Sequence, residues 1–277
     1  LVGDPPFTAA QAAAIDSGAG EPGANAAAGG SAEWDTRKRS VLVGNDEALA
    51  ELPRLPGTRE EVTALAARFH DPTVLLGREA SEPTLDSLAR SGALRGYSTI
   101  HFATHALVDD ERPERSLLIL SRSGLPDPLE AAAAGRPVVD GLLTAQEILA
   151  SWHLDADLVT LSACETGLGR TVAGEGVIGL AHAFFQAGAR SLLVSLWKVD
   201  DRATAMLMQR FYEDRTGGFR DRRARFRSAA MPKSEALQEA KRWLREYKDA
   251  NGQRPYAHPA YWSSFVLIGD PGPPTER

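Results

Sequence analysis

"LVTLSACETGLG" (residues 158–169) runs a mostly apolar segment into the only cysteine of the chain and then into a glycine-bearing loop. A short apolar run bounded by turn residues reads as a strand buried on both faces. Such strands belong to mainly parallel sheets with helices packed on either side. In an open sheet of that kind, chemistry gathers beyond the carboxyl ends of the strands. Cys164 stands at that edge.

The flanking sequence repeats the pattern. "TVLLG" (73–77), "YSTIHFATHA" (97–106), "SLLVSLW" (191–197) and "FVLIG" (265–269) read as further strands, with "RSLLILS" (115–121) as a strand or hairpin arm and "VLVG" (41–44) as the first. Helical spacing separates them. Val62, Leu65, Ala66 and Phe69 fall at i, i+3, i+4 and i+7, and Thr58 with Glu61 predicts a capping box before them. A helix from Ser81 through Leu85 and Leu88, a second capping box at Thr144 and Glu147, an apolar helix "EGVIGLAHAFFQAGA" ending at Gly188, and helices near 202–214 and 234–250 complete the alternation. The expected fold is therefore α/β with a mainly parallel sheet in three layers.

Residues 1–36 are rich in Ala, Gly and Pro and read as a linker or tail. The domain proper is expected over 37–271, with surface insertions at 121–141 and 215–233 and a short tail at 272–277. The second insertion, "RTGGFRDRRARFRSAAMPK", holds six Arg and one Lys against one Asp and reads as a solvated loop. With 31 Lys and Arg against 37 Asp and Glu, the net charge of −6 argues against a general nucleic-acid coat. One cysteine excludes an intramolecular disulfide framework and a multi-cysteine zinc site. A lone thiol suits a reducing, cytoplasmic setting, and no apolar run approaches the roughly 18 residues of a membrane span.

His105 ends the strand 97–104 and is expected to share the sheet edge with Cys164. A thiol of ordinary pKa, about 8.5, is only a few per cent thiolate at pH 7, and a neighbouring imidazole raises that fraction or takes the proton during attack. Gly167 lets the following loop turn closely, so that its N–H groups can face an oxyanion. His101, inside the strand, reads as a hydrogen-bonded core histidine. His70, His153 and His258 fall in loops, and His182 reads as packing within an apolar helix. Cys164 to Arg170 also matches the Cys-x5-Arg spacing of cysteine phosphatases, although Glu165 would place a carboxylate beside a phosphate dianion.

"IHFATHA", "LVTLSACETGLG", "EGVIGLAHAFFQAGARSLLVSLWKVDD" and "HPAYWSSFVLIGDP", in that order, resemble the CHAT domain, a caspase-like family often joined to tetratricopeptide repeats. The resemblance implies a caspase–hemoglobinase fold and a His–Cys dyad cleaving a protein substrate without metal or cofactor, with His105 as general base and Cys164 as nucleophile. It also implies an oxyanion hole from the main-chain amides of Cys164 and Ala106, and a peptide cleft beside Trp197, Lys198, Val199 and Asp200. Asp200 or Asp201 could favour a basic P1 side chain, as in related separases, or Asp200 could cap the next helix. A role in bacterial defence or cell death follows from the same resemblance; a regulatory repeat domain or partner is expected because uncontrolled proteolysis harms a cell, and the Arg-rich loop 215–233 is a natural self-cleavage site if P1 is basic. A non-catalytic adaptor on the same scaffold is the alternative.

Overall fold

The computed structural model describes residues 1–7, 11–13, 52, 55–109, 112–135, 138–162, 175–197, 199–217 and 230–273. In chain order the elements are β1 (Val2–Gly3), α1 (Pro56–Ala66), β2 (Leu75–Leu76), α2 (Glu82–Arg90), β3 (Thr99–Ala103), β4 (Ala106–Leu107), β5 (Leu117–Ile119), α3 (Pro128–Ala133) and β6 (Leu142–Thr144). They continue with α4 (Ala145–Ser151), β7 (Leu158–Leu161), α5 (Glu175–Ala187), β8 (Ser191–Ser195), α6 (Asp201–Thr216), α7 (Lys233–Glu246) and β9 (Phe265–Gly269). Among the described residues, six strands form the central sheet in the order β2-β1-β3-β7-β8-β9, parallel except for the antiparallel edge strand β9. The remaining three, β4-β5-β6, make a small antiparallel sheet.

Side-chain alternation along the strands divides the core into two faces. Ile100, Phe102, Val159, Leu161, Leu192 and Val194 pack with residues of α2, α4 and α5. Leu158, Leu193 and Phe265 pack on the other face against α1, α6 and α7. Every residue of β7 and β8 is buried, as an apolar strand covered on both sides requires. Fully buried Phe184, Phe211 and Tyr212 each contribute roughly 1.5–3 kcal/mol of transfer free energy. The three-layer α/β arrangement matches the expectation.

The first residues do not. Val2 and Gly3 insert between β2 and β3, pairing in parallel with both, and residues 2–7 are buried. Averaging over a stretch of small residues hid three large ones, Leu1, Val2 and Phe7, and a two-residue strand needs no more. Gly3 is required by proximity: a Cβ there would lie 2.7 Å from Val62 Cγ2 on α1. The expected strand at 41–44 lies outside the described residues.

Packing of this terminal strand also rewrites the start of α1. The helix begins at Pro56, with proline in its favoured first position. Thr58 and Glu61 therefore sit inside it and form no capping box. The Thr58 hydroxyl accepts from Asp4 N at 2.9 Å and donates to Leu55 O, while Arg59 Nε donates to Asp4 Oδ2 at 2.6 Å. The capping box at Thr144 and Glu147 is present in full. Helix α5 stops before Gly188, whose φ of +114° excludes other residues and where a Cβ would overlap the Leu154 carbonyl.

The two insertions are tied down more firmly than solvated loops. Within 121–141 the alanine run forms α3, and Ser121 is fully buried. The second insertion begins and ends on buried cations. Arg215 donates to Asp157 Oδ2 and Lys233 to Asp157 Oδ1, both at 2.7 Å, and Arg215 also reaches Thr99 Oγ1 at 2.9 Å. Asp157 is 1%, Arg215 3% and Lys233 0% exposed. One carboxylate thus holds both ends of the arginine-rich stretch against the amino-terminal edge of β7. The interior, 218–229, lies outside the described residues, as does the self-cleavage expected there. No helix among the described residues is long and apolar enough to cross a membrane.

Candidate active site

β3 and β7 lie side by side in parallel, with Thr99↔Leu158, Ile100↔Val159, His101↔Thr160 and Phe102↔Leu161 in register. Pairing extends one residue further, since Ser162 N donates to Phe102 O at 2.9 Å. Past this point the β3 chain leaves the central sheet. Thr104 Oγ1 donates to Ile119 O at 2.5 Å, and Ile119 N donates to His105 O at 2.9 Å. His105 is therefore held by its own backbone at the junction of the two sheets. Its ring packs on Phe7, centroids 5.2 Å apart, and the residue is 1% exposed.

The next residue is placed for a different task. Ala106 stands opposite Leu118 while the flanking His105 and Ile119 share the hydrogen bond. In an antiparallel ladder this makes Ala106 a non-hydrogen-bonded position, with its N–H directed away from β5. Cys164, three residues beyond Leu161 as His105 is three beyond Phe102, lies outside the described residues, and so do Gly167 and Arg170.

At the carboxyl end of β8, Ser195 Oγ donates to Trp197 O at 2.7 Å and Leu196 N donates to Ser264 O at 3.0 Å, fixing the turn out of the sheet. Trp197 Nε1 donates to Ala260 O at 3.2 Å, joining this turn to the segment before β9. Lys198 lies outside the described residues. Val199 packs on the core face formed by α6 and α7. Asp200 is the N-cap of α6, its Oδ1 accepting from Ala203 N at 2.9 Å. That carboxylate has the capping role that the sequence left open.

The other histidines separate by environment. His101 is fully buried and hydrogen-bonded, with Nε2 2.8 Å from Glu61 Oε1. His182, expected to pack, instead faces outward on α5 and is exposed; its helix has alanines and phenylalanines enough to cover the sheet without it. His70 and His153 are exposed, and His258 Nδ1 accepts from Ala260 N. No local signal marks Phe7 or Glu61 for these contacts, since the neighbours of Phe7 are small and the spacing of Glu61 from Thr58 imitates a cap.

A group of carboxylates underlies the small sheet that carries Ala106. Glu82 Oε2 accepts from Gly141 N at 3.0 Å, Asp140 Oδ1 from Leu142 N at 2.9 Å, and Glu147 Oε2 from Thr144 N at 2.7 Å. Burial, then the charges of Glu147 and Asp140, push the Glu82 carboxyl up to about 7. Burial likewise raises Asp140. A carboxyl raised on folding stabilises the fold fully below its unfolded value and loses that contribution as pH rises through about 7. Glu82→Gln, which keeps an acceptor for Gly141, is therefore expected to melt about 2–4 °C higher than wild type at pH 8, a gain near 1 kcal/mol. At pH 5 the gap closes. Thermal melts at the two values check this, and equal gaps would contradict it.

Compared with known proteins, residues 7–270 match the family model of the CHAT domain. Two curated relatives are similar over 133 residues, 48% of this chain: tetratricopeptide repeat protein 28 of Mus musculus at 32% identity and its Homo sapiens counterpart at 33%. The matched region spans 5% of the length of each relative.

Proposed function

We propose that this chain, which belongs to the CHAT-domain family, is a cysteine endopeptidase in which His105 is the general base and Cys164 the nucleophile. The observation that carries the reading is the adjacent, parallel pairing of β3 and β7, with both residues at equal offset beyond the register pair Phe102↔Leu161. The imidazole takes the thiol proton as sulfur attacks the scissile carbonyl, then delivers that proton to the leaving amine, leaving a thioester. Water, deprotonated by the same imidazole, hydrolyses the thioester and restores the thiol. The Ala106 N–H, turned out of the β4–β5 ladder, and the Cys164 N–H stabilise the tetrahedral oxyanions. An extended substrate lies beside residues 196–201 as an added strand, with Trp197 as a wall. The enzyme works in a reducing cellular compartment under control of a repeat domain of the kind named in its relatives.

The test is a proteome-wide comparison of new N-termini generated in cell lysate by wild type and by Cys164→Ala. A small set of cleavages made only by wild type is the expected result. Identical sets would overturn the peptidase reading and leave a caspase-like adaptor. A phosphatase would likewise cut nothing, and would lose phosphate-ester hydrolysis on Arg170→Ala.

A further inference from the structure

The hydroxyl of Tyr212, on α6, sits between two residues that face each other across β3 and β7. His101 and Thr160 are register partners. Tyr212 Oη lies 3.2 Å from His101 Nδ1 and 2.8 Å from Thr160 Oγ1. On the far side of the imidazole, Nε2 meets Glu61 of α1 at 2.8 Å. Tyr212, His101 and Thr160 are 0% exposed and Glu61 1%. Phe69 and Phe211 hold the tyrosine ring edge-on, with centroids 5.4 and 5.1 Å away.

A tyrosine hydroxyl carries one donor and two acceptor lone pairs, so Tyr212 can satisfy His101 Nδ1 and Thr160 Oγ1 together while Glu61 holds the other ring nitrogen. Burial pushes the Tyr212 hydroxyl up to about 12, so it remains a donor across the neutral range. The chain Thr160–Tyr212–His101–Glu61 is complete only if His101 stands opposite Thr160.

Apolar contacts alone specify strand register poorly against a slip of two residues, which keeps each side chain on its own face. Here a two-residue slip would set Leu158 or Ser162 opposite His101, out of step with the tyrosine. Each buried polar group stranded by such a slip would cost about 1–3 kcal/mol. The register so enforced sets the offset between the ends of β3 and β7, from which the chain runs on in sequence to His105 and to Cys164.

We propose that Tyr212 is a positioning residue, whose hydroxyl bridges His101 and Thr160 to hold β3 against β7 and thereby sets the spacing of His105 and Cys164. This rests on the dyad reading above.

Cys164 is the only cysteine, so iodoacetamide alkylation, counted by mass, reports its thiolate alone. Its rate is measured against pH for wild type, His105→Ala, Tyr212→Phe, Thr160→Val and Thr160→Ser. Wild type is expected to react at pH 6.5 faster than a free thiol, and His105→Ala to lose that excess. Tyr212→Phe and Thr160→Val should shift the profile towards that of His105→Ala. A rise of one pKa unit appears as an about tenfold slower reaction at pH 6.5. Thr160→Ser, which keeps the hydroxyl, should retain the wild-type profile. Near-ultraviolet circular dichroism verifies that each variant is folded, and the valine–serine pair decides the matter if Tyr212→Phe is not. Folded Tyr212→Phe and Thr160→Val with the wild-type profile would overturn the positioning role. Coincidence of wild type and His105→Ala would instead remove the dyad itself, whatever the other variants do.

Discussion

Replacing Asp157 with asparagine is expected to lower the stability of the domain by about 3–5 kcal/mol, because buried Arg215 and Lys233 lose the carboxylate that both bond closely, and Lys233 keeps only the half-exposed Asp270 carboxylate, 3.9 Å away. The melting temperature should fall on the order of 10 °C. Both Arg215 and Lys233 lie within 2.7 Å of this one carboxylate, and neither has access to water that could solvate it instead. Burial pushes the Asp157 carboxyl up, but the hydrogen bonds from Lys233 and Arg215 outweigh burial and hold it below the usual carboxylate value. A depressed carboxyl contributes stability that is present above its unfolded pKa of about 3.9 and is lost as pH falls through the folded value. The acid limb of the stability curve, below about pH 4, should therefore flatten in Asp157→Asn. Melts followed by circular dichroism between pH 3 and 7 measure both effects, and a drop under about 3 °C at pH 7 contradicts the first. Converting all three residues to apolar ones of similar volume is expected to restore much of the loss, since a desolvated charge is costly only when its partner is missing.

His105→Gln is expected to reduce kcat/KM by about 10²–10⁴-fold, the usual contribution of a positioned general base. Glutamine nearly fills the volume against Phe7, so the melting temperature should hold to within a few degrees, while alanine would add a packing defect to the chemical one. KM should change little, because in the proposed dyad the imidazole works on the thiol and the leaving group rather than on the bound peptide. Initial rates on a peptide spanning a mapped cleavage site provide the measurement. A glutamine variant within threefold of wild type would remove His105 from the mechanism.

Much of the architecture was legible because buried parallel strands announce themselves. Leu158–Leu161 and Ser191–Ser195 are apolar on both faces and sit where the pattern places them. The Thr144 cap was readable because both members of the box lie within four residues of each other. Thr58 and Glu61 show the same spacing and do something else, since Pro56 starts the helix earlier and distant partners claim both side chains. Val2, Phe7, Arg215 and Lys233 depart from the expectation for a common reason: each is buried by residues far along the chain, which its neighbours in sequence do not reveal.

For the candidate site, the sequence by itself determined the alternation of strands and helices, the family, and which thiol and imidazole follow consecutive central strands of the sheet. These are local matters of periodicity and residue type. Tertiary structure alone decided that Ala106 turns its amide out of a second sheet, and that Asp157 holds both ends of the arginine-rich insertion. Burial and hydrogen-bond partnership are properties of three-dimensional neighbours, and no local pattern encodes which distant group will arrive to satisfy a charge.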